Sequence, residues 1–351
     1  MSIGENENKI SQIVKNINNV NELKKIPGVI TNNFNNEKLE VIENLDQLPL
    51  PDWDVFNLKN YWNIKHAHGP LTSKKYLPIL TSRGCPYPCK FCVIPFTNDR
   101  KWRSRSAKNV VDEIEYFKNK YGVKEFHLED LNPTVNEKRT ISICKELINR
   151  KMNITWKIVA GTKVESIKNN TTIELMAKSG CKYISISPES GSKNLMKLIN
   201  KPFNIEHAIN MIQYMNKFNI RTQACFVLGF PGEENGDLEL TKKMIIKLTK
   251  AGLDEIAIFI ITPIPGSEIF KNIEGYESYS ELNFSPKWRS DYNFLNYTRL
   301  KFYLIFLLYK LLYSPKKILK QIFNFFALKF ETKMEMVPYK FLKISYLQIF
   351  K

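Results

Sequence analysis

The chain has 351 residues, 43% of them hydrophobic and 25% charged, which is enough apolar content for one large domain with extensions and excludes a disordered protein. Its net charge of +17 is compatible with a nucleic-acid or anionic-membrane partner. The lysines are scattered rather than gathered in one stripe, so we do not expect nucleic acid. Six cysteines, three of them within residues 85–92, do not fit a disulfide framework, and the polar start "MSIGENENKI" lacks a signal pattern. We therefore predict a cytoplasmic protein.

Residues 1–75 are polar, rich in asparagine and only weakly periodic. The segment 43–62 contains two prolines and four aromatic side chains, which suggests an irregular segment anchored to the protein body by Trp53, Phe56, Tyr61 and Trp62. We predict that 1–75 is a lead-in rather than a domain of its own.

From residue 76 to about 275, short β-rich runs alternate with amphipathic helical runs. Strands are predicted at 76–82, 125–130, 154–160 and 182–190, and at the start of 221–233 and 255–270. Helices are predicted at 107–122, 139–150, 172–179, 192–199, 205–218 and 238–251, the last with Leu240, Met244, Ile245 and Leu248 inward. Six such units predict an α/β fold with parallel strands, a partial (β/α)6 TIM-like barrel. Functional residues are expected at the C-terminal ends of its strands.

Residues 276–351 are predicted to form a helical, aromatic-rich C-terminal extension. Its longest uncharged apolar run, Phe302–Tyr309, is far shorter than the roughly 20 residues that a membrane-spanning helix needs. A buried or partner-facing helix pair is the favoured interpretation. The alternative is a basic, aromatic helix that makes peripheral contact with a membrane surface.

The segment "RGCPYPCKFCVIPF" places Cys85, Cys89 and Cys92 in a C-x3-C-x2-C spacing directly after the first predicted strand. Thiolates are soft ligands that suit iron–sulfur clusters or zinc. Three thiolates in one loop can ligate three irons of a four-iron cluster and leave the fourth iron open, whereas structural zinc needs a fourth protein ligand. The remaining cysteines, Cys144, Cys181 and Cys225, stand alone and are expected to pack in the core. We therefore favour a cluster over zinc.

With Phe91 directly before the last cysteine, this spacing resembles the C-x3-C-x-aromatic-C signature of the radical S-adenosylmethionine (SAM) superfamily. The resemblance implies a [4Fe–4S] cluster and SAM as cofactors, with an electron donor such as flavodoxin or ferredoxin as partner. It implies that the open iron chelates SAM and that reductive cleavage of the sulfonium C5′–S bond yields a 5′-deoxyadenosyl radical. That radical would abstract hydrogen from the substrate.

Segments at the ends of later strands also resemble the family. In "HLEDLNPT" the resemblance implies that Glu129 and Asp130 meet the amino group of SAM, and in "SISPESGS" that Ser187 and Glu189 reach its ribose and amino-acid part. In "VLGFPGE", Gly229 and Gly232 resemble the turn that packs near the adenine, and Ile258 of the sixth strand would offer main chain to the adenine edge. Helix caps and simple turns are the alternative roles of these residues. No catalytic side chain is identified.

"IPGVI" (26–30) and "NLDQLPLPDWDVFNLKNYW" resemble the connector that follows the cobalamin-binding domain in the B12-binding radical SAM group. No D-x-H-x-x-G motif occurs in the chain. We therefore expect a member of that group lacking its cobalamin-binding domain, with cobalamin available only in trans. The expected reaction is radical chemistry on an unidentified small-molecule or lipid-like substrate, including methyl transfer or secondary-metabolite modification. The alternatives are a tRNA-modifying methylthiotransferase and a non-catalytic Fe–S binding remnant.

Overall fold

The computed structural model describes residues 1–32, 34–36 and 41–349, with side chains up to residue 343. Its centre is a sheet of six parallel strands: β1 (Tyr76–Ile79), β2 (Glu125–Leu128), β3 (Thr155–Thr162), β4 (Cys181–Glu189), β5 (Arg221–Leu228) and β6 (Glu255–Ile260). The strand order is β6-β5-β4-β3-β2-β1, so sequential strands are neighbours and the first and last remain edges. This is the predicted partial (β/α)6 barrel.

Helices connect the strands, and their bounds lie within a few residues of those predicted. They are α1 (Ala107–Tyr121), α2 (Glu137–Asn149), α3 (Asn170–Lys178), α4 (Lys193–Leu198), α5 (Ile205–Lys217) and α6 (Asn235–Lys250). Helix α1 begins where the Ser106 hydroxyl accepts the Asn109 N–H at 3.2 Å, and it ends at Gly122, whose φ of 65° is left-handed.

The apolar face of α6 differs from the prediction at one position. Leu240 is 43% exposed, whereas Leu238 and Thr241 are buried together with Ile245 and Leu248. Positions 238, 241, 245 and 248 follow the spacing of three and four residues that defines one helix face, and Leu240 is two residues out of step. The prediction that Leu240 points inward is wrong.

The lead-in runs over the barrel as short elements. These are helices Ile10–Lys15, Val20–Leu23 and Leu58–Ile64, 3₁₀ turns Leu45–Gln47 and Trp53–Val55, and an antiparallel pair Ile30–Thr31 with Phe34–Asn35. Trp53 and Trp62 pack against the barrel core as predicted, and Trp62 Nε1 donates to Tyr76 O at 2.8 Å. Phe56 and Tyr61 are 49% and 52% exposed, so only the two tryptophans are anchors.

The C-terminal extension consists of α7 (Tyr292–Tyr313), α8 (Pro315–Ala327) and α9 (Lys333–Ile349). It bridges the two edges of the sheet at the base of the barrel. Phe330 N donates to Leu71 O, next to β1, at 3.0 Å, and Met334 N donates to the Glu255 carboxylate at the start of β6 at 3.0 Å. These two contacts lie at the N-terminal ends of the strands, opposite to the end from which the cysteine loop leaves β1. Among the described residues no helix is both long and apolar enough to cross a membrane.

Candidate functional site

The cysteine loop leaves the C-terminal end of β1 and is closed at its base by a short antiparallel pair, Ser82–Arg83 with Arg103–Ser104. Gly84 precedes Cys85 with a φ of 77°, and a Cβ on it would lie 2.0 Å from Lys101 O. Only glycine allows this approach of the two loop ends. The loop is held further by Lys90, whose N–H donates to Ile199 O at 3.0 Å.

The three loop cysteines are free thiols, each half-buried, and the Ile94 N–H points at Cys92 Sγ at 3.5 Å. Burial raises the pKa of Cys89 to about 11, although Lys201 opposes this, and burial also raises the pKa of Cys92. Metal binding at such thiols must therefore displace protons. In the part of the chain that the structure describes, no three His, Cys, Asp or Glu side chains converge on a point where one metal ion would bind. Three soft donors in one partly shielded loop fit the chemistry of an iron–sulfur cluster.

Asp130, expected at the amino group of SAM, lies completely buried behind the cysteine loop. Its carboxylate accepts hydrogen bonds from Thr81 N at 2.8 Å, from Thr81 Oγ1 at 2.7 Å and from the Ser82 hydroxyl. Burial raises the pKa of Asp130, and the Ser82 and Thr81 hydrogen bonds oppose that rise. The side chain therefore fixes the segment that leads from β1 into the cysteine loop.

Glu189 is 5% exposed at the end of β4, with a left-handed φ of 60°, and forms an ion pair with Lys201. Burial alone would lower the pKa of Lys201, but the Glu189 carboxylate raises it. The Lys201 ammonium lies 5.6 Å from the ring centre of Phe91, and the Phe91 and Phe230 rings are 5.5 Å apart. These contacts connect the cysteine loop to β4 and β5. Sequence reasoning missed Lys201, which lies in a connection between helices and has no local signal.

Glu129 is the more open of the two acidic residues after β2, with 29% of its side chain exposed. Its Oε2 lies 2.7 Å from Nδ1 of His68, which the sequence had given no role. Ser187 is half-buried on β4, and a Cβ on neighbouring Gly161 would lie 2.9 Å from its Oγ. Glycine at 161 thus leaves space beside Ser187 at the barrel mouth.

The turn after β5 contains both predicted glycines, with φ of 84° at Gly229 and 80° at Gly232. The Gly229 N–H donates to the Glu233 carboxylate, and Gly229 O accepts from Arg289 at 3.1 Å. On β6, the Ile258 N–H donates a hydrogen bond to the hydroxyl of Tyr303 on α7, at 3.0 Å. That amide therefore contacts the C-terminal extension rather than an open pocket.

Two of the remaining cysteines lie in the core as predicted, since Cys144 and Cys181 are fully buried. Cys225 is half-buried inside the barrel, with its sulfur 3.5 Å from Ser185 Oγ.

Comparison with known proteins agrees with this arrangement. The sequence profile of the radical SAM superfamily matches residues 79–245. The chain is 28% identical over 290 residues to an uncharacterized methyltransferase of Pyrococcus horikoshii, covering 82% of this chain and 59% of that protein. It is 30% identical over 240 residues to cytidylyl-2-hydroxyethylphosphonate methyltransferase of Streptomyces wedmorensis, covering 66% of this chain and 44% of that protein.

Among solved structures, the cobalamin-dependent SAM radical enzyme OxsB superposes with a TM-score of 0.57 at 18% identity. The match covers 84% of this chain and 40% of OxsB, and it supports the fold. The chain belongs to the radical SAM superfamily, a class of enzymes whose cofactors are a [4Fe–4S] cluster and SAM. Its similarity is to the B12-dependent group, and it spans about half the length of the curated relatives described above.

Proposed function

We propose that this chain cleaves SAM reductively at a [4Fe–4S] cluster held by Cys85, Cys89 and Cys92, starting radical chemistry on a small-molecule substrate. The observation that carries the proposal is the meeting of the cysteine loop with the ends of β4 and β5 through Phe91, Lys201 and Phe230. The cluster, when bound, supplies the electron that breaks the sulfonium bond of SAM. A flavodoxin or ferredoxin is the proposed source of that electron.

The residues around the loop have separate proposed roles. Glu129 remains partly exposed at the barrel mouth and is our candidate for the SAM ammonium, because a cation in a partly dry site needs a countercharge. Asp130 already accepts three protein hydrogen bonds, so we assign it to positioning the loop. Glu189 and Ser187 stay proposed contacts of the amino-acid part and ribose, and Gly229 and Gly232 stay proposed neighbours of the adenine. Ile258 is not assigned to the adenine through its N–H, because Tyr303 accepts that hydrogen bond. We also propose that the core spans 76–275, between the lead-in and the extension.

The test is anaerobic reconstitution with iron and sulfide, followed by incubation with dithionite and SAM. We expect 5′-deoxyadenosine from the wild-type chain and none above background from Cys89→Ala. Cys144→Ala is the matched control, because Cys144 is a free thiol buried in the core. It should retain both iron and cleavage. Cleavage at the wild-type rate by Cys89→Ala would contradict the cluster assignment.

Within this class we propose methyl transfer, with cobalamin supplied in trans. The support is that both relatives described above are called methyltransferases and that OxsB is described as cobalamin-dependent. Methyl transfer by way of cobalamin would consume two SAM molecules. One would give up its methyl group and become S-adenosylhomocysteine, and the other would be cleaved to methionine and 5′-deoxyadenosine. We expect S-adenosylhomocysteine only after cobalamin is added together with a low-potential reductant. Formation of 5′-deoxyadenosine alone at every cobalamin concentration would contradict methyl transfer and leave SAM cleavage intact.

A further inference from the structure

Helix α8 presents its polar stripe to the protein. Lys317 Nζ donates to Gly252 O at 2.6 Å, and Gln321 Nε2 donates to Thr332 Oγ1 at 2.8 Å. Asn324, one turn further on, is only 5% exposed. Positions 317, 321 and 324 have the spacing of one helix face. The inward face of this helix is therefore the hydrophilic one.

The opposite face of α8 is apolar and faces solvent. Leu319, Ile322, Phe323 and Phe326 are 66%, 52%, 70% and 77% exposed. Their spacing of three, four and seven residues forms a single stripe, which a surface helix of a globular protein normally turns towards the core. Helix α8 is therefore amphipathic, but its apolar face points to solvent and its polar face points to the protein.

Helix α7 buries the apolar Phe302 and Phe306 on the face that ends at Lys310, and it also exposes an apolar stripe on another side. Lys310 is fully buried, and its ammonium donates to Gln321 Oε1 on α8 at 2.7 Å. Leu304, Leu308 and Leu312 are 68%, 54% and 64% exposed.

Both helices direct a lysine towards Asp254. Lys310 donates to the Asp254 carbonyl, and Lys317 Nζ lies 2.9 Å from its carboxylate. Because Lys310 of α7 and the polar stripe of α8 point at the same place, the exposed apolar stripes of the two helices face away from the protein body. We call these stripes together the outer face of α7 and α8.

The charge of the segment is all of one sign. Residues 292–330 contain no acidic side chain, and their basic residues are Arg299, Lys301, Lys310, Lys316, Lys317, Lys320 and Lys329. Of these, Lys301, Lys316 and Lys329 are exposed, while the half-exposed Lys320 pairs with Glu331 at 2.9 Å. An apolar stripe beside lysines is the pattern of helices that lie in the interface of an anionic membrane. A second copy of the chain would bring like charges together.

We propose that the outer face of α7 and α8 docks on the surface of a lipid bilayer containing anionic headgroups. Its leucine and phenylalanine side chains enter the boundary between headgroups and acyl chains, and the exposed lysines contact the headgroups. Docking at this surface is a binding property separate from SAM cleavage and does not depend on the cluster. It would place the barrel beside a membrane and its apolar solutes.

The test is co-flotation of the full, anaerobically purified chain with vesicles of phosphatidylcholine alone or mixed with phosphatidylglycerol. We expect binding to the mixed vesicles that weakens with salt, and little binding to phosphatidylcholine. Leu319→Glu with Phe323→Glu should lower the partition coefficient by at least about tenfold, because two apolar side chains no longer leave water. Phe284→Glu is the matched control, since Phe284 is 81% exposed outside both helices, and it should bind as the wild type does.

The charge contribution is tested separately with Lys316→Gln and Lys329→Gln. Each should lower binding to the mixed vesicles about fivefold, because a basic residue near an anionic surface contributes about that factor. Lys59→Gln with Lys74→Gln, both exposed elsewhere, is the control.

Several outcomes would overturn the proposal. One is failure of the wild-type chain to float with mixed vesicles, and another is equal flotation by the Leu319→Glu, Phe323→Glu variant with an unchanged circular dichroism melt. A wild-type dimer that does not bind vesicles and becomes a monomer in that variant would assign the outer face to a second copy instead.

Discussion

Replacing Lys157 with methionine tests whether the base of the barrel depends on a buried ion pair. Lys157 Nζ lies 2.8 Å from Glu125 Oε1, and the two side chains are 1% and 0% exposed. The same ammonium donates to Pro70 O at 2.6 Å, and Thr72 N donates to the Glu125 carboxylate at 3.1 Å. The pair therefore also ties the lead-in to β2 and β3.

We expect Lys157→Met to lower the free energy of unfolding, because it leaves the Glu125 charge buried without its cationic partner. Without Lys157 the Glu125 carboxylate remains buried, and removing one partner of a buried pair costs about 3–5 kcal/mol. That is a large part of the roughly 5–15 kcal/mol by which a domain is stable. Glu125→Gln combined with Lys157→Met leaves no stranded charge, so the double variant should recover at least about 2 kcal/mol relative to the sum of the singles.

The assay is urea unfolding of the reconstituted chain under anaerobic conditions, followed by far-ultraviolet circular dichroism. The matched control is Lys108→Met, which breaks an exposed pair with Asp112 at 2.7 Å and should cost less than about 1 kcal/mol. If Lys157→Met cost no more than Lys108→Met, the interaction at the barrel base would behave as a solvated pair. The reasoning from burial would then be refuted.

Two further predictions concern buried carboxylates. Asp130→Ala leaves the buried donors of Thr81 and Ser82 without their acceptor, and each unsatisfied donor costs about 1–3 kcal/mol of stability. The variant should therefore show a lower urea midpoint and retain less iron per chain. Unchanged iron would contradict its positioning role. Burial would raise the pKa of Glu125, but the His127 hydrogen bond and Lys157 lower it from 4.5 to about 2. Its stabilising effect, about 3 kcal/mol, is complete above pH 4.5 and is lost as pH falls towards 2. Wild type and Glu125→Gln should therefore converge in unfolding free energy across that range, and a constant difference would disprove the assignment.

Much of the barrel was predictable because its signals are local. Strands buried on both faces are nearly continuous apolar runs, and helix ends such as Ser106 and Gly122 carry cap residues at fixed positions. The cysteine loop was identified because its three ligand-type residues are close in sequence. The same local reasoning failed at Leu240, where a shift of two positions changes the face of a helix.

The rest depends on contacts between residues far apart in sequence. Lys201 reaches Glu189 and Phe91 only after β4 and the cysteine loop have come together. The Tyr303 hydroxyl accepts a hydrogen bond from the Ile258 N–H because α7 packs along the open edge of the sheet. The inward polar stripe of α8 follows the helical period, but its direction is set by partners such as Asp254, 63 residues away from Lys317 in sequence.

The central claim is that three protein thiolates hold a cluster and leave one iron for SAM. The most direct measurement is the low-temperature electron paramagnetic resonance spectrum of the dithionite-reduced chain, recorded before and after SAM is added. We expect a signal of a reduced [4Fe–4S] cluster whose g values change when SAM binds the open iron. A spectrum that SAM leaves unchanged, or a colourless protein that contains zinc and gives no signal, would contradict the account.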